Sequence, residues 1–201
     1  IPVAEESGFI VAIGDWVLRQ AVAQAAQWHA SGMPMRMSVN VSALQFRQPG
    51  FVDGVASTLR AAGLPGRLLE LELTESILIQ DVEGTLSRLH ALAEIGVLLA
   101  IDDFGTGYSS MLQLKQLPLT ALKIDRSFVM GLPATSIDRA VVRTAVQLAE
   151  ALGASVTAEG VETHEQVAAL VDLGCTRAQG FLLARPEPAA DFGRRVVDLI
   201  A

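Results

Sequence analysis

Hydrophobic and polar positions fall into short period-two runs separated by longer stretches with helical spacing. From Met35 to Ser42, the residues Met35, Met37, Val39 and Val41 form one face, with Arg36, Ser38, Asn40 and Ser42 on the other. Leu69–Thr74 alternates in the same way, so Glu70, Glu72 and Thr74 share a face. A solvated edge strand would produce the same pattern. The apolar runs that follow, however, belong to a repeating βα pattern in which strand faces are usually covered, so these carboxylates need partners. Between Asp15 and Trp28, a stripe of Val17, Leu18, Ala21, Val22, Ala25 and Trp28 predicts a helix with Asp15 as its N-cap. Further helices are expected over 82–94, 138–152 and 164–173, followed by Gly96, Gly153 and Gly174. Six strands are expected near 36–41, 68–73, 97–102, 121–125, 155–159 and 177–182, in strand-helix alternation.

Such units build either a doubly wound sheet or a closed barrel. A doubly wound sheet gathers its ligand at one switch point, whereas here nearly every strand carries a polar residue near its C-terminal end. These residues are Asn40, Glu72, the Asp102-Asp103 pair, Lys123, Glu159 and Gln179. The expected fold is therefore α/β, a modified TIM (β/α)8-type barrel occupying residues 1–201 as one domain. An eight-stranded barrel needs two strands more than the pattern supplies, and the chain opens on Ile1-Pro2 just before a helix. N-terminal strand material is accordingly expected to be missing from this sequence.

Composition narrows the picture. With 201 residues, 51% of them hydrophobic, one sizeable core is available, and no linker-like stretch divides it. No apolar run reaches the roughly 18 to 20 residues of a membrane span, and the N-terminus lacks a signal-peptide pattern. The domain is expected to be cytoplasmic and free of membrane contact, although its parent protein could be membrane-anchored. A net charge of −7 argues against a nucleic-acid polymer held on a basic face, but leaves room for a small anion held through metal ions. Cys175, the single cysteine, has no partner at zinc-ligand spacing and reads as a small residue opening a buried strand.

Asn40, Glu72, Asp102 and Glu159, with Asp103 beside them, offer oxygen donors only, a set suited to Mg²⁺ or Mn²⁺. Like charges gathered at one barrel mouth repel unless protons or cations intervene. Adjacent aspartates can ligate two ions, the usual device for activating water against a phosphodiester, with Lys123 orienting that water or neutralising phosphoryl charge. Taken singly, Asp-Asp is a common strand-end turn, a lysine is commonly a surface residue and Glu159-Gly160-Val161-Glu162 could be a capping turn. Their weight comes from occurring together at successive strand ends. His29, His90 and His164 fall in helical stretches without paired nucleophiles. Asp103-Phe104-Gly105 and Gly105-Thr106-Gly107 lack the kinase and dinucleotide contexts that would give those short words meaning.

The ordered set resembles the EAL-domain cyclic di-GMP phosphodiesterases: Ser38-Val-Asn40-Val-Ser42, Glu72-Leu-Thr-Glu75-Ser76, Ile101-Asp102-Asp103-Phe-Gly105-Thr-Gly107-Tyr-Ser-Ser110, Leu122-Lys123-Ile-Asp125, Ala158-Glu159-Gly-Val-Glu162 and Gln179-Gly-Phe181. The likeness runs from Pro2 to Pro186. It implies a modified TIM barrel that linearises cyclic di-GMP to pGpG with two Mg²⁺ or Mn²⁺ ions. By the same likeness Asn40, Glu72, Asp102, Asp103 and Glu159 are metal ligands, Lys123 holds the catalytic water and Gln179 helps to position it. Asp103 to Ser110, with Gly105, Thr106 and Gly107, is the mobile loop that couples metal and substrate binding to homodimerisation. Glu75 anchors that loop and Glu162 is a supporting residue. A GGDEF or sensory domain is expected in the parent protein.

The family's namesake Glu-Ala-Leu segment belongs on the first barrel strand, which the resemblance places before Pro2. Glu150-Ala151-Leu152 spells those letters but ends a helical stretch. Loss of that strand would leave a cyclic di-GMP receptor without catalysis as one alternative. A Mg²⁺-dependent barrel enzyme with a lysine base is another, though it leaves Asp103 and the glycine loop unexplained.

Overall fold

The computed structural model describes residues 1–78, 82–107 and 114–200. Its sheet has six parallel strands: β1 (Met37–Val41), β2 (Leu69–Thr74), β3 (Leu98–Phe104), β4 (Ala121–Ile124), β5 (Ser155–Ala158) and β6 (Arg177–Ala178). Each strand pairs with the next in chain order, from β1 through to β6. A doubly wound sheet reverses its order at a switch point, and this sheet does not, so the winding is that of a barrel. Among the described residues β1 and β6 remain edges, and the sheet is not closed.

The helices are α1 (Pro2–Glu6), α2 (Ile10–Ala30), α3 (Ala43–Phe46), α4 (Phe51–Ala62), α5 (Val82–Glu94), α6 (Arg126–Met130), α7 (Ser136–Leu152), α8 (His164–Asp172) and α9 (Ala189–Ile200). Apolar strand residues bury against them. Leu71, Leu73, Leu99, Ile101, Leu122 and Ile124 are fully buried, each contributing about 2 kcal/mol from the apolar surface it removes from water. Helix α4 adds Phe51, Val55 and Leu59, spaced four apart so that they lie on one face. Gly153 ends α7 in a left-handed conformation, φ 69°, in which a side chain would be strained. Glu150-Ala151-Leu152 lies inside that helix, consistent with its reading as a coincidence of letters.

Four expectations are corrected. Asp15 is not an N-cap: α2 begins at Ile10, and the Asp15 carboxylate instead accepts a hydrogen bond from Gln45 Nε2 at 3.1 Å. The buried Gln45 amide fits there because Gly14 presents no Cβ to it. The strand expected over 177–182 is shortened to Arg177–Ala178, because Leu183 and Ala184 N–H groups turn back to the Gly180 carbonyl at 3.1 and 3.2 Å. The strand near 97–102 runs on to Phe104, with its register to β4 interrupted between Ile101 and Phe104. Cys175 is buried, as expected, but it lies just before β6 and does not open it, and both residues of that strand are exposed rather than buried.

Candidate metal centre and active site

Strand register brings the charged residues together. Asn40 on β1 is the register partner of Glu72 on β2, and Thr74 of Asp102 on β3, so these positions rise in layers along one face of the sheet. Lys123 is buried on β4, and its Nζ lies 2.7 Å from Glu72 Oε2 and 3.3 Å from Asp102 Oδ1, and in contact with Glu159 Oε1. One ammonium thus sits among three carboxylates carried by β2, β3 and the end of β5. Glu70 lies one layer below on the same face as Glu72 and pairs with Arg36 at 3.2 Å and Ser38 at 3.0 Å. Both carboxylates of the alternating strand therefore find the partners that burial demands.

This charge balance shifts proton affinities. Burial, the largest influence, works to lower the Lys123 pKa. Hydrogen bonds to Glu159 and Glu72 and the charges of Glu72 and Asp102 outweigh it and hold the ammonium charged above the usual lysine range. Burial and the charges of Asp102 and Glu72 raise the Glu159 carboxyl above its ordinary value, against the lowering effect of Lys123. Asp103 is raised as well, first by burial, then by the charges of Asp102 and Asp125.

Carboxylate oxygens of Asp102, Asp103 and Glu159 lie within 4.8 Å of one another and could hold a metal ion. The donors are hard oxygens, and four acidic side chains face a single lysine, so a divalent cation fits both the chemistry and the charge. Asp103 has φ 54°, among the described residues the only non-glycine position with positive φ. Backbone strain of this kind is stored where the surroundings over-determine it, and here they do. The Asp103 N–H donates to Asp102 Oδ1 at 3.1 Å, its carboxyl shares a hydrogen bond with Asp125, and its carbonyl accepts from the Thr106 hydroxyl at 2.8 Å.

Glu75 fixes the glycine-rich segment after β3. Its Oε1 accepts from the Gly105 N–H at 2.8 Å, and a Cβ on Gly107 would lie 2.6 Å from its Oε2. Tyr108, Ser109 and Ser110, the rest of the expected loop, lie outside the described residues. Asn40 and Gln179 are exposed. The Gln179 N–H donates to the Ala158 carbonyl at 2.8 Å, which continues the β5–β6 ladder and sets Gln179 beside Glu159. Glu162 is exposed outside the acidic cluster. Its N–H donates to Gln166 Oε1 at 2.7 Å, ahead of the capping box that starts α8.

Asp125 belongs to the site although the strand-end pattern singled out only Lys123. Burial works to raise the Asp125 pKa, but hydrogen bonds from the Ser127 hydroxyl and N–H and from Asp103 hold it below the usual carboxylate range. It also caps α6 through the Ser127 N–H at 3.0 Å. The available signal was period two: 123 and 125 share a face of the strand. Phe128 on α6 is a second addition, its ring 2.8 Å from where a Gly105 Cβ would stand.

Known proteins resemble this chain in sequence and in fold. The sequence profile of the EAL domain matches residues 1–186. The bifunctional diguanylate cyclase/cyclic di-GMP phosphodiesterase MucR of Pseudomonas aeruginosa is 47% identical over 190 residues, 94% of this chain and 28% of that protein. The structure of the PaMucR phosphodiesterase in complex with c-di-GMP superposes with a TM-score of 0.91 at 46% identity, over 95% of this chain and 78% of the other. Klebsiella pneumoniae BlrP1, in a manganese and cyclic di-GMP complex, gives a TM-score of 0.79 at 32% identity, over 88% of this chain and 45% of the other. The chain spans about a quarter to a third of the length of the curated relatives it matches.

Proposed function

This chain belongs to the EAL domain family, and on that premise we propose that it hydrolyses cyclic di-GMP to linear pGpG with two Mg²⁺ or Mn²⁺ ions. The observation that carries the reading is the juxtaposition of Asp102, Asp103 and Glu159 around Lys123 at the C-terminal ends of parallel strands. Asn40, Glu72, Asp102, Asp103 and Glu159 would hold the ions. When bound, they supply Lewis-acid polarisation of a phosphoryl oxygen and activation of water.

The chain's own groups do the rest. Lys123, held as an ammonium, donates hydrogen bonds and neutralises charge that develops on the phosphoryl oxygens as water adds to phosphorus and the ribose 3′-oxygen leaves. The contact of its Nζ with Glu72, Asp102 and Glu159 favours this role over proton abstraction next to a carboxylate. Gln179 beside Glu159 orients water, and Glu75 with Gly105 and Gly107 sets the position of the segment that carries Asp103. Homodimerisation is part of the same proposal, and sedimentation of the chain with and without ligand tests it.

The decisive experiment is incubation with cyclic di-GMP in Mn²⁺ and chromatographic resolution of the product. Formation of pGpG that falls at least about 100-fold in Asp102→Asn is the expected result. Binding of cyclic di-GMP without turnover in Mn²⁺ would make the chain a receptor and overturn the catalytic reading.

A further inference from the structure

We infer that Glu70, gripped by Arg36 and Ser38, sets the register of β1 and so delivers Asn40 to the cation site, with Glu70 and Arg36 as positioning residues one layer away from the chemistry. The inference rests on the two-cation reading above and extends it to what holds Asn40 in place.

Among the metal-ligand candidates Asn40 alone is carried by β1, and among the described residues its side chain makes no hydrogen bond of its own. Its position is therefore the position of the strand. That strand is five residues long, is an edge of the described sheet, and joins β2 through α3 and α4, so no tight turn fixes how the two align. Burial of Val39 and Val41 decides which face of β1 meets the core. Because side chains alternate with a period of two, a slip of two residues leaves every one of them on its own face while moving Asn40 about 7 Å along the strand.

The observed register sets Ser38 opposite Glu70 and Asn40 opposite Glu72. Glu72 is tied to Lys123 on β4, whereas the buried Glu70 carboxylate takes both of its partners from the β1 side. Its Oε1 accepts from the Ser38 hydroxyl at 3.0 Å and its Oε2 pairs with Arg36 at 3.2 Å. A slip of two residues in either direction would carry the short Ser38 hydroxyl to a diagonal position and leave one oxygen of a buried carboxylate without a partner. Arg36, Ser38 and Asn40 alternate along one face, so a grip on the first two fixes the third. The two carboxylates of β2 thus divide the work: Glu72 faces the cation site, and Glu70 aligns the neighbouring strand with it.

The test is a double-mutant cycle on the full chain, read as Mn²⁺ affinity by calorimetry without nucleotide. The variants are Glu70→Gln, Arg36→Met, Arg36→Lys, Asn40→Ala and Glu70→Gln combined with Asn40→Ala, each measured where circular dichroism shows it folded. Glu70→Gln and Arg36→Met are expected to weaken Mn²⁺ binding about tenfold, the scale of losing a partner outside the ligand shell, and Asn40→Ala at least as much. Arg36→Lys keeps the charge and should stay within about twofold of wild type. In the Asn40→Ala background Glu70→Gln should weaken binding no further, because it acts through Asn40. A purely structural role would lower the melting temperature and leave Mn²⁺ affinity untouched. Wild-type affinity in Glu70→Gln or in Asn40→Ala, or equal losses from Glu70→Gln with and without Asn40, would overturn the inference while leaving the phosphodiesterase reading intact. Failure of the wild-type chain to bind Mn²⁺ would remove both.

Discussion

Lys123 on β4 reaches past β3 to bring its ammonium within 2.7 Å of Glu72 on β2. Both side chains are more than nine-tenths buried, so neither charge has water as an alternative partner. Replacing Lys123 with Met keeps length and removes the charge, leaving carboxylates buried without compensation. The expected cost is about 3 kcal/mol in urea unfolding, and saturating Mn²⁺ should restore part of it because a cation repopulates the same oxygens. An unfolding midpoint equal to that of wild type would show that the carboxylates are compensated elsewhere.

Proton affinities set the pH dependence of metal binding. Asp103 and Glu159 both keep their protons above the ordinary carboxylate range, and a cation must displace those protons to bind. In the cation-free protein, each contributes stability that is present below its unfolded pKa and lost as pH rises through its raised folded value. Bound Mn²⁺ favours the ionised forms, so the increase in Tm on adding Mn²⁺ should be larger at about pH 7.5 than at about pH 5. An equal or reversed pair of shifts, read by calorimetry, would contradict this assignment.

Gly107→Ala tests the anchoring of the loop by Glu75. The added methyl would stand 2.6 Å from Glu75 Oε2 and displace the carboxylate that receives the Gly105 N–H. Turnover of cyclic di-GMP should fall about tenfold, the scale expected when a positioning contact near the reacting groups is lost. Because the contact is with the end of a side chain, Tm should change little, and a large loss of stability would instead make the contact structural.

Gly180→Ala should be far more damaging to the fold. Its Cβ would collide with the Val161 backbone, which cannot step aside as a side chain can. A cost of about 3 kcal/mol is expected from overpacking against fixed atoms, together with loss of activity through displacement of Gln179. Thermal unfolding that matches wild type would show that the segment after β6 can move freely.

The sequence alone determined the alternation of strands and helices, because period two and period 3.6 are local properties of the backbone, visible without any partner. It also determined that Glu70 and Glu72 share a face, that Lys123 lies at a strand end, and that Gly96, Gly153 and Gly174 follow helices. It singled out Glu72 over Glu70 by its place near the strand end, but it could not name the partner of either. Register, a relation between segments distant in the chain, assigned Arg36 and Ser38 to Glu70 and Lys123 to Glu72. Asp15 shows the same limit: as a cap its role would be local, but its actual partner, Gln45, lies thirty residues away. The end of β6 depended on whether Gly180 could press against Val161, which only packing decides. Only the tertiary structure decided the raised protonation of Glu159 and Asp103 and the hydrogen bond between Asp103 and Asp125, because burial and charge proximity arise when separate strands are brought side by side.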